Sequence, residues 1–228
     1  IGYLDAADTS DIDNAIKAPV KRTNLSCTAG QSRGATTRVL VHDSHYEKVV
    51  NEIAKAFDAI SLGDPTSSDT QMGALSTKRQ YEKTTGFINR AISAGATIAC
   101  GYGKRDTPDV GYFVPPTLIC DVDHDFETAR EEIFGPVLTV LKWSETEELL
   151  EIVNGLDVGL TASIWTQNID TAMRLSKNIQ SGYVWINDAS DHYLGAPFGG
   201  VKNSGIGREE CLEEMFSYTE AKTVTIVT

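Results

Sequence analysis

Cysteine is scarce in this chain of 228 residues: Cys27, Cys100, Cys120 and Cys211 are the four, far apart and with no Cys-x-x-Cys pair among them. A chain this long can bury a substantial core without covalent staples, so the reading is reduced thiols in a cytosolic protein. No apolar run approaches the ~20 residues that a membrane span requires, and the opening Ile1-Gly2-Tyr3-Leu4-Asp5 lacks the charged n-region of a secretory leader. Positive charge is also short, with 20 Lys and Arg against 32 Asp and Glu and a net charge of −12. Such a surface repels phosphates, which argues against nucleic acid as a partner, and the missing span argues against a membrane. Internal repeats, low-complexity tracts and linkers are absent as well. With 41% hydrophobic and 23% charged residues, the composition is that of an ordinary globular domain.

Periodicity supplies the elements. Residues 11–24 have helical spacing, with Ile12, Ala15, Ile16 and Val20 on one side and Pro19 as the expected kink or early end. Arg38–His42 reads as a short strand, followed by a helix capped by Asp43 or Ser44 that carries Tyr46, Val49, Val50, Ile53, Phe57 and Ile60. Ser76 is placed to cap a second helix, closed by Gly95. Strands are expected at 96–100, 112–120, 160–165 and 183–187, and Pro115-Pro116 makes part of the second one irregular. Val137–Trp143 is almost continuously apolar, as in a strand buried on both faces. Helices are expected at 145–154 and 170–179, and a last strand at 222–227. This alternation predicts an α/β domain around a mainly parallel twisted sheet with flanking helices. Residues 188–207 are glycine-rich and aperiodic, a long loop after a strand, where α/β sheets usually place their ligand crevice.

Three segments carry chemistry. They are Gly30-Gln31-Ser32-Arg33-Gly34-Ala35-Thr36-Thr37-Arg38-Val39-Leu40-Val41-His42, then Glu131-Glu132-Ile133-Phe134-Gly135-Pro136-Val137, then Pro197-Phe198-Gly199-Gly200-Val201-Lys202-Asn203-Ser204-Gly205. In type and order they resemble the motifs of aldehyde dehydrogenases, and the resemblance runs over essentially the whole chain. It implies a catalytic domain over residues 1–217 and part of an oligomerisation arm over 218–228, with homo-oligomers formed through the C-terminal strand. It also implies NAD or NADP as cofactor, with Glu132 on the ribose nearest the nicotinamide and Phe134 beside the ring; a carboxylate accepts from vicinal hydroxyls and an aromatic face suits a planar ring. An aldehyde would be the substrate, in a tunnel to which Ser32, His192, Tyr193, Leu194 and Phe198 contribute.

One position departs from the family. The resemblance places Arg33 where the attacking cysteine belongs, and a guanidinium has no lone pair to offer. Cys27, six residues upstream, reads as a buried or partly buried structural residue. The family's general-base glutamate and most of its nucleotide-binding domain belong upstream of the stretch that resembles Ile1 onward. The expectation is therefore an aldehyde dehydrogenase catalytic domain that is inactive or impaired as this chain. The alternative is a non-catalytic assembly or regulatory subunit, and a third use is Arg33 as an anion site for a carboxylate such as the former product. His42 and His45 straddle a strand-to-helix junction and make a poor metal pair. Ser32 lacks a Gly-x-Ser-x-Gly setting, and the glycines at 199–207 do not form a dinucleotide fingerprint.

Overall fold

The computed structural model describes residues 2–4, 13, 15, 16 and 25–228. Seven strands form one sheet: β1 Gly2–Leu4, β2 Arg38–His42, β3 Thr97–Cys100, β4 Thr117–Cys120, β5 Val137–Trp143, β7 Thr161–Trp165 and β8 Tyr183–Ile186. Their order is β3-β4-β5-β2-β1-β7-β8. Every neighbouring pair is parallel except β3 with β4. The fold is thus α/β with a mainly parallel sheet. A separate antiparallel ladder joins β6 Val158–Gly159 to β9 Val201–Lys202.

Strand alternation sorts the core. Val39, Val41 and Val140 face one apolar cluster, and Leu40 and Leu141 face another. The first cluster is closed by α2 Tyr46–Asp58 and α3 Lys78–Ser93, which bury Ile53, Phe57 and Ile88 completely. The second is closed by α5 Thr146–Asn154 and α6 Ile169–Asn178 through Leu149 and Leu175. Each such side chain contributes roughly 1.5–3 kcal/mol by leaving water. Coverage of both faces explains the apolar run of β5, of which only Lys142 is exposed. Two one-turn helices, α1 Leu25–Thr28 and α4 Glu127–Arg130, precede the segments of interest, and α7 Leu212–Ser217 follows them.

Several details differ from the sequence reading. Of the helix expected at 11–24, Asp13, Ala15 and Ile16 are helical, and the remainder, Pro19 included, lies outside the described residues. A 3-10 turn, Asp43–His45, intervenes before α2, so neither Asp43 nor Ser44 caps it. Thr77 caps α3 by accepting from the Gln80 amide at 3.2 Å, because the Ser76 hydroxyl is committed to Gln31. The strand expected at 112–120 is ordered as a ladder only over β4, after the two prolines. Residues 222–227 form no strand, and Val224, Ile226 and Val227 are exposed. A lone extended segment has no ladder to complete its backbone hydrogen bonds. No helix among the described residues is long and apolar enough to cross a membrane. No disulfide joins any of the four cysteines; Cys100 and Cys120 are buried, which pushes each thiol up to about 12, whereas Cys27 is exposed, contrary to expectation.

Candidate functional site

The three motifs meet at the amino ends of the central strands. Gly30 has φ +70°, and a Cβ there would lie 2.1 Å from the Gly135 carbonyl oxygen, so the first motif backs directly onto the turn of the second. Only glycine permits both that conformation and that approach. Gln31 pins the same segment sideways by accepting from the Ser76 hydroxyl at 2.8 Å and the Ser76 amide at 3.1 Å. On the second motif, the Gln80 amide donates to the carbonyls of Ile133 at 2.9 Å and Phe134 at 2.8 Å, and Lys83 donates to that of Glu132 at 2.7 Å. Those bonds hold Phe134 at φ +60°, a left-handed conformation unusual for an aromatic residue.

The third motif arrives from a distance. The loop leaves the carboxyl end of β8 and then doubles back. Gly199 packs so tightly on Gly182 that a Cβ on the latter would stand 1.9 Å from the Gly199 carbonyl oxygen. Gly182 precedes β8, so this half of the loop lies at the amino ends of the strands. Arg38 and Thr161, which open β2 and β7, line the same cavity as Gly199 and Gly200. The expectation of a carboxyl-end crevice is thereby corrected: the β6–β9 ladder ties the returning loop to the opposite edge.

The cavity has a volume of about 460 Å³ and takes in Arg33, Glu132, Phe198 and Glu209. Its size lies in the range of small-ligand sites. Arg33 spans the mouth. Its Nη1 donates to Glu209 Oε1 at 2.7 Å and its Nη2 to Glu209 Oε2, a fork-to-fork pair, and its guanidinium lies 5.1 Å from the Phe198 ring centroid. The pair keeps both partners ionised: the hydrogen bond from Arg33 holds the Glu209 carboxyl below its usual range, and Glu209 raises the Arg33 guanidinium. This answers the expectation of an open anion site at Arg33, since an internal carboxylate already fills the fork.

Behind Phe198 a second pair repeats the arrangement. His192 Nδ1 lies 2.7 Å from Glu210 Oε1, and its ring sits 4.5 Å from that of Phe198. Adjacent acids, Glu209 and Glu210, thus tether one cation or imidazole on either side of a ring that is 1% exposed. Tyr193 and Leu194, expected on the wall, are exposed and do not line the cavity, and neither does Ser32. Glu132 reaches the cavity with a carboxylate that has no partner among the described residues, while Phe134 lines a separate shallow depression beside Cys27 and Gln80. Among the described residues no group of three or more His, Cys, Asp or Glu could hold a metal ion.

Sequence reasoning missed Glu209, Glu210 and Arg38. The first two stand just beyond the third motif, where a pair of acids after glycines looks like solvated surface. Arg38 is a charge opening an otherwise apolar strand, a signal present in the sequence and passed over.

Comparison with known proteins places this geometry. Residues 6–224 match the model of the aldehyde dehydrogenase family. The chain is 42% identical to the aldehyde dehydrogenase tropH of Talaromyces stipitatus, over 98% of this chain and 44% of that protein. It is 38% identical to the mitochondrial aldehyde dehydrogenase of Leishmania tarentolae, over 97% of this chain and 44% of that protein. Among solved structures, an NAD+ complex of aldehyde dehydrogenase from Bacillus cereus superposes with a TM-score of 0.89 at 40% identity, covering 98% of this chain and 44% of that one. The chain therefore spans less than half the length of these relatives. Three motifs brought together at the amino ends of the strands, and a match across nearly every residue in sequence and in shape, lead to the same place: this chain belongs to the aldehyde dehydrogenase family.

Proposed function

We propose that this chain is the catalytic-domain part of an NAD(P)-dependent aldehyde dehydrogenase in which the covalent step at position 33 has been removed. The observation that carries the reading is Arg33 itself, at the position of the family's nucleophile and bound through both terminal nitrogens to Glu209. Thiol attack on a carbonyl needs a lone pair, and a guanidinium protonated throughout the physiological range has none. Glu209 is held ionised by the same pair, which suits it to anchor Arg33 and not to relay protons near neutrality.

Glu132 suits the ribose at the nicotinamide end of the cofactor, while Phe134 faces a neighbouring depression. The Glu132 carboxylate, without a partner among the described residues, lines a cavity of suitable size, and the bonds from Gln80 and Lys83 hold its loop in place. Bound there, the cofactor would supply a hydride acceptor. Phe198 would offer an apolar wall to the aldehyde, and Arg33 beside it stays bound to Glu209.

The test is to incubate the protein with aldehyde and NAD and follow NADH absorbance, with mass spectrometry of the segment that contains residue 33. Neither a burst nor an adduct at that position is expected; either one overturns the reading. A second role, assembly through the C-terminal segment, is supported by the exposed Val224, Ile226 and Val227. Light scattering tests it: a clean monomer that also ignores full-length homologues removes it.

A further inference from the structure

The cavity contains a second arginine that the dehydrogenase reading does not use. Arg38 is 4% exposed, and its side chain makes one hydrogen bond, from Nη1 to the Ala129 carbonyl at a long 3.2 Å. Its Nη2 has no acceptor at all, and no carboxylate pairs with it among the described residues. The nearest charge that acts on it is another cation, Arg130. Arg130 is itself held at the cavity wall, with Nη1 3.3 Å from Asp125 Oδ1 and Nη2 donating to the Gly155 carbonyl at 3.2 Å. Buried guanidinium groups are normally paired with an anion and fully hydrogen-bonded. Arg38 lines the cavity, so an anion entering it would meet a guanidinium whose buried Nη2 has no acceptor among the described residues.

The remaining wall narrows the ligand. Leu156, Val158 and Leu160 are apolar, whereas Glu131, Glu132 and Glu209 line other parts of the same cavity. Three carboxylates disfavour a phosphate or any other polyanion, but one negative charge beside the Arg38 guanidinium is compensated locally. We propose that the cavity binds a monocarboxylate with a short apolar tail, its head taken by Arg38 beside the Asp125-paired Arg130 and its tail by Leu156, Val158 and Leu160. The carboxylate provides the acceptor that Nη2 lacks once the guanidinium turns toward the cavity, at the cost of the long bond to Ala129. Arg33 takes no part, because Glu209 already fills its fork. The carboxylate would share the cavity with the groups of the aldehyde reading, but neither aldehyde nor cofactor is needed for it to bind.

Thermal unfolding of the protein at constant ionic strength tests this with three probes: butyrate, butyramide and inorganic phosphate. Butyrate should raise the midpoint saturably, and the other two should not. In Arg38→Gln the apparent affinity should fall by about tenfold or more, the loss expected for a charge-assisted hydrogen bond. A variant that does not disturb the buried arginine is Val158→Glu, at a residue 44% exposed, which brings a carboxylate to the tail wall and should weaken butyrate equally. Three results overturn the proposal: no effect of butyrate, an equal or larger effect of butyramide or phosphate, or a butyrate effect unchanged in folded Val158→Glu.

Discussion

Replacing Arg38 by methionine should make the protein more stable, an unusual outcome for a side chain buried at the base of a candidate site. Burial, and then the charge of Arg130, push this guanidinium down to about 10 from an ordinary 12.5. At ~1.4 kcal/mol per pH unit of displacement, the folded state carries a cost of about 3 kcal/mol for holding the charge. The sign follows from linkage. The group's folded pKa is depressed and its charged form is the cation, so the cost is fully present at neutral pH and is relieved only as pH rises through about 10. Methionine fills much of the volume of the arginine stem without the charge. It also forfeits the bond to Ala129, worth about 1 kcal/mol. The net expectation is a gain of about 1–2 kcal/mol, in line with buried ion sites replaced by apolar residues elsewhere. Urea unfolding in carboxylate-free buffer reads this as a midpoint higher by about 0.5 M with an unchanged slope. A midpoint lowered by more than the equivalent of ~1 kcal/mol would refute the reasoning, because it would mean that the charge is compensated in the folded protein.

Two further predictions concern the way the motifs are held together. Gly30→Ala should cost more than about 3 kcal/mol, combining a left-handed backbone with a Cβ placed 2.1 Å from the Gly135 oxygen. Gly34→Ala, where nothing lies within 4 Å, should cost under about 1 kcal/mol, and equal unfolding midpoints for the two would contradict the packing described. The Arg33–Glu209 pair should add ~1 kcal/mol or less, since the two side chains are 54% and 43% exposed. Because the Glu209 pKa is depressed, that contribution is complete above the ordinary carboxylate range and disappears as pH falls through the lowered value. The stability difference between the protein and Arg33→Gln should therefore be present at neutral pH and vanish in acid; a difference that persists in acid would assign it to the Phe198 contact instead.

The sheet and most of its helices were legible because their signal is local. The apolar run of β5 and the spacing of Tyr46, Val49, Val50, Ile53 and Phe57 on α2 state their partners' faces without any knowledge of those partners. The misreadings fall where a distant group competes. Ser76 was the natural cap until Gln31 claimed its hydroxyl, and the 222–227 segment was a natural strand with no neighbour to complete it. Glu132, Phe134 and Phe198 were found by motif, yet the structure separates Phe134 from the other two and leaves Tyr193 and Leu194 in solvent.

The sequence by itself determined the family, the α/β alternation and an arginine where the resemblance expects the nucleophile, since residue identity and period are written along the chain. Tertiary structure alone decided what Arg33 does instead. Its partner Glu209 lies 176 residues away and meets it only because the returning loop is tied to Gly159 and Gly182. The same holds for Arg38, whose charge is plain in the sequence. Whether that charge is paired depends on which groups the fold packs around it, and among the described residues its Nη2 finds no acceptor.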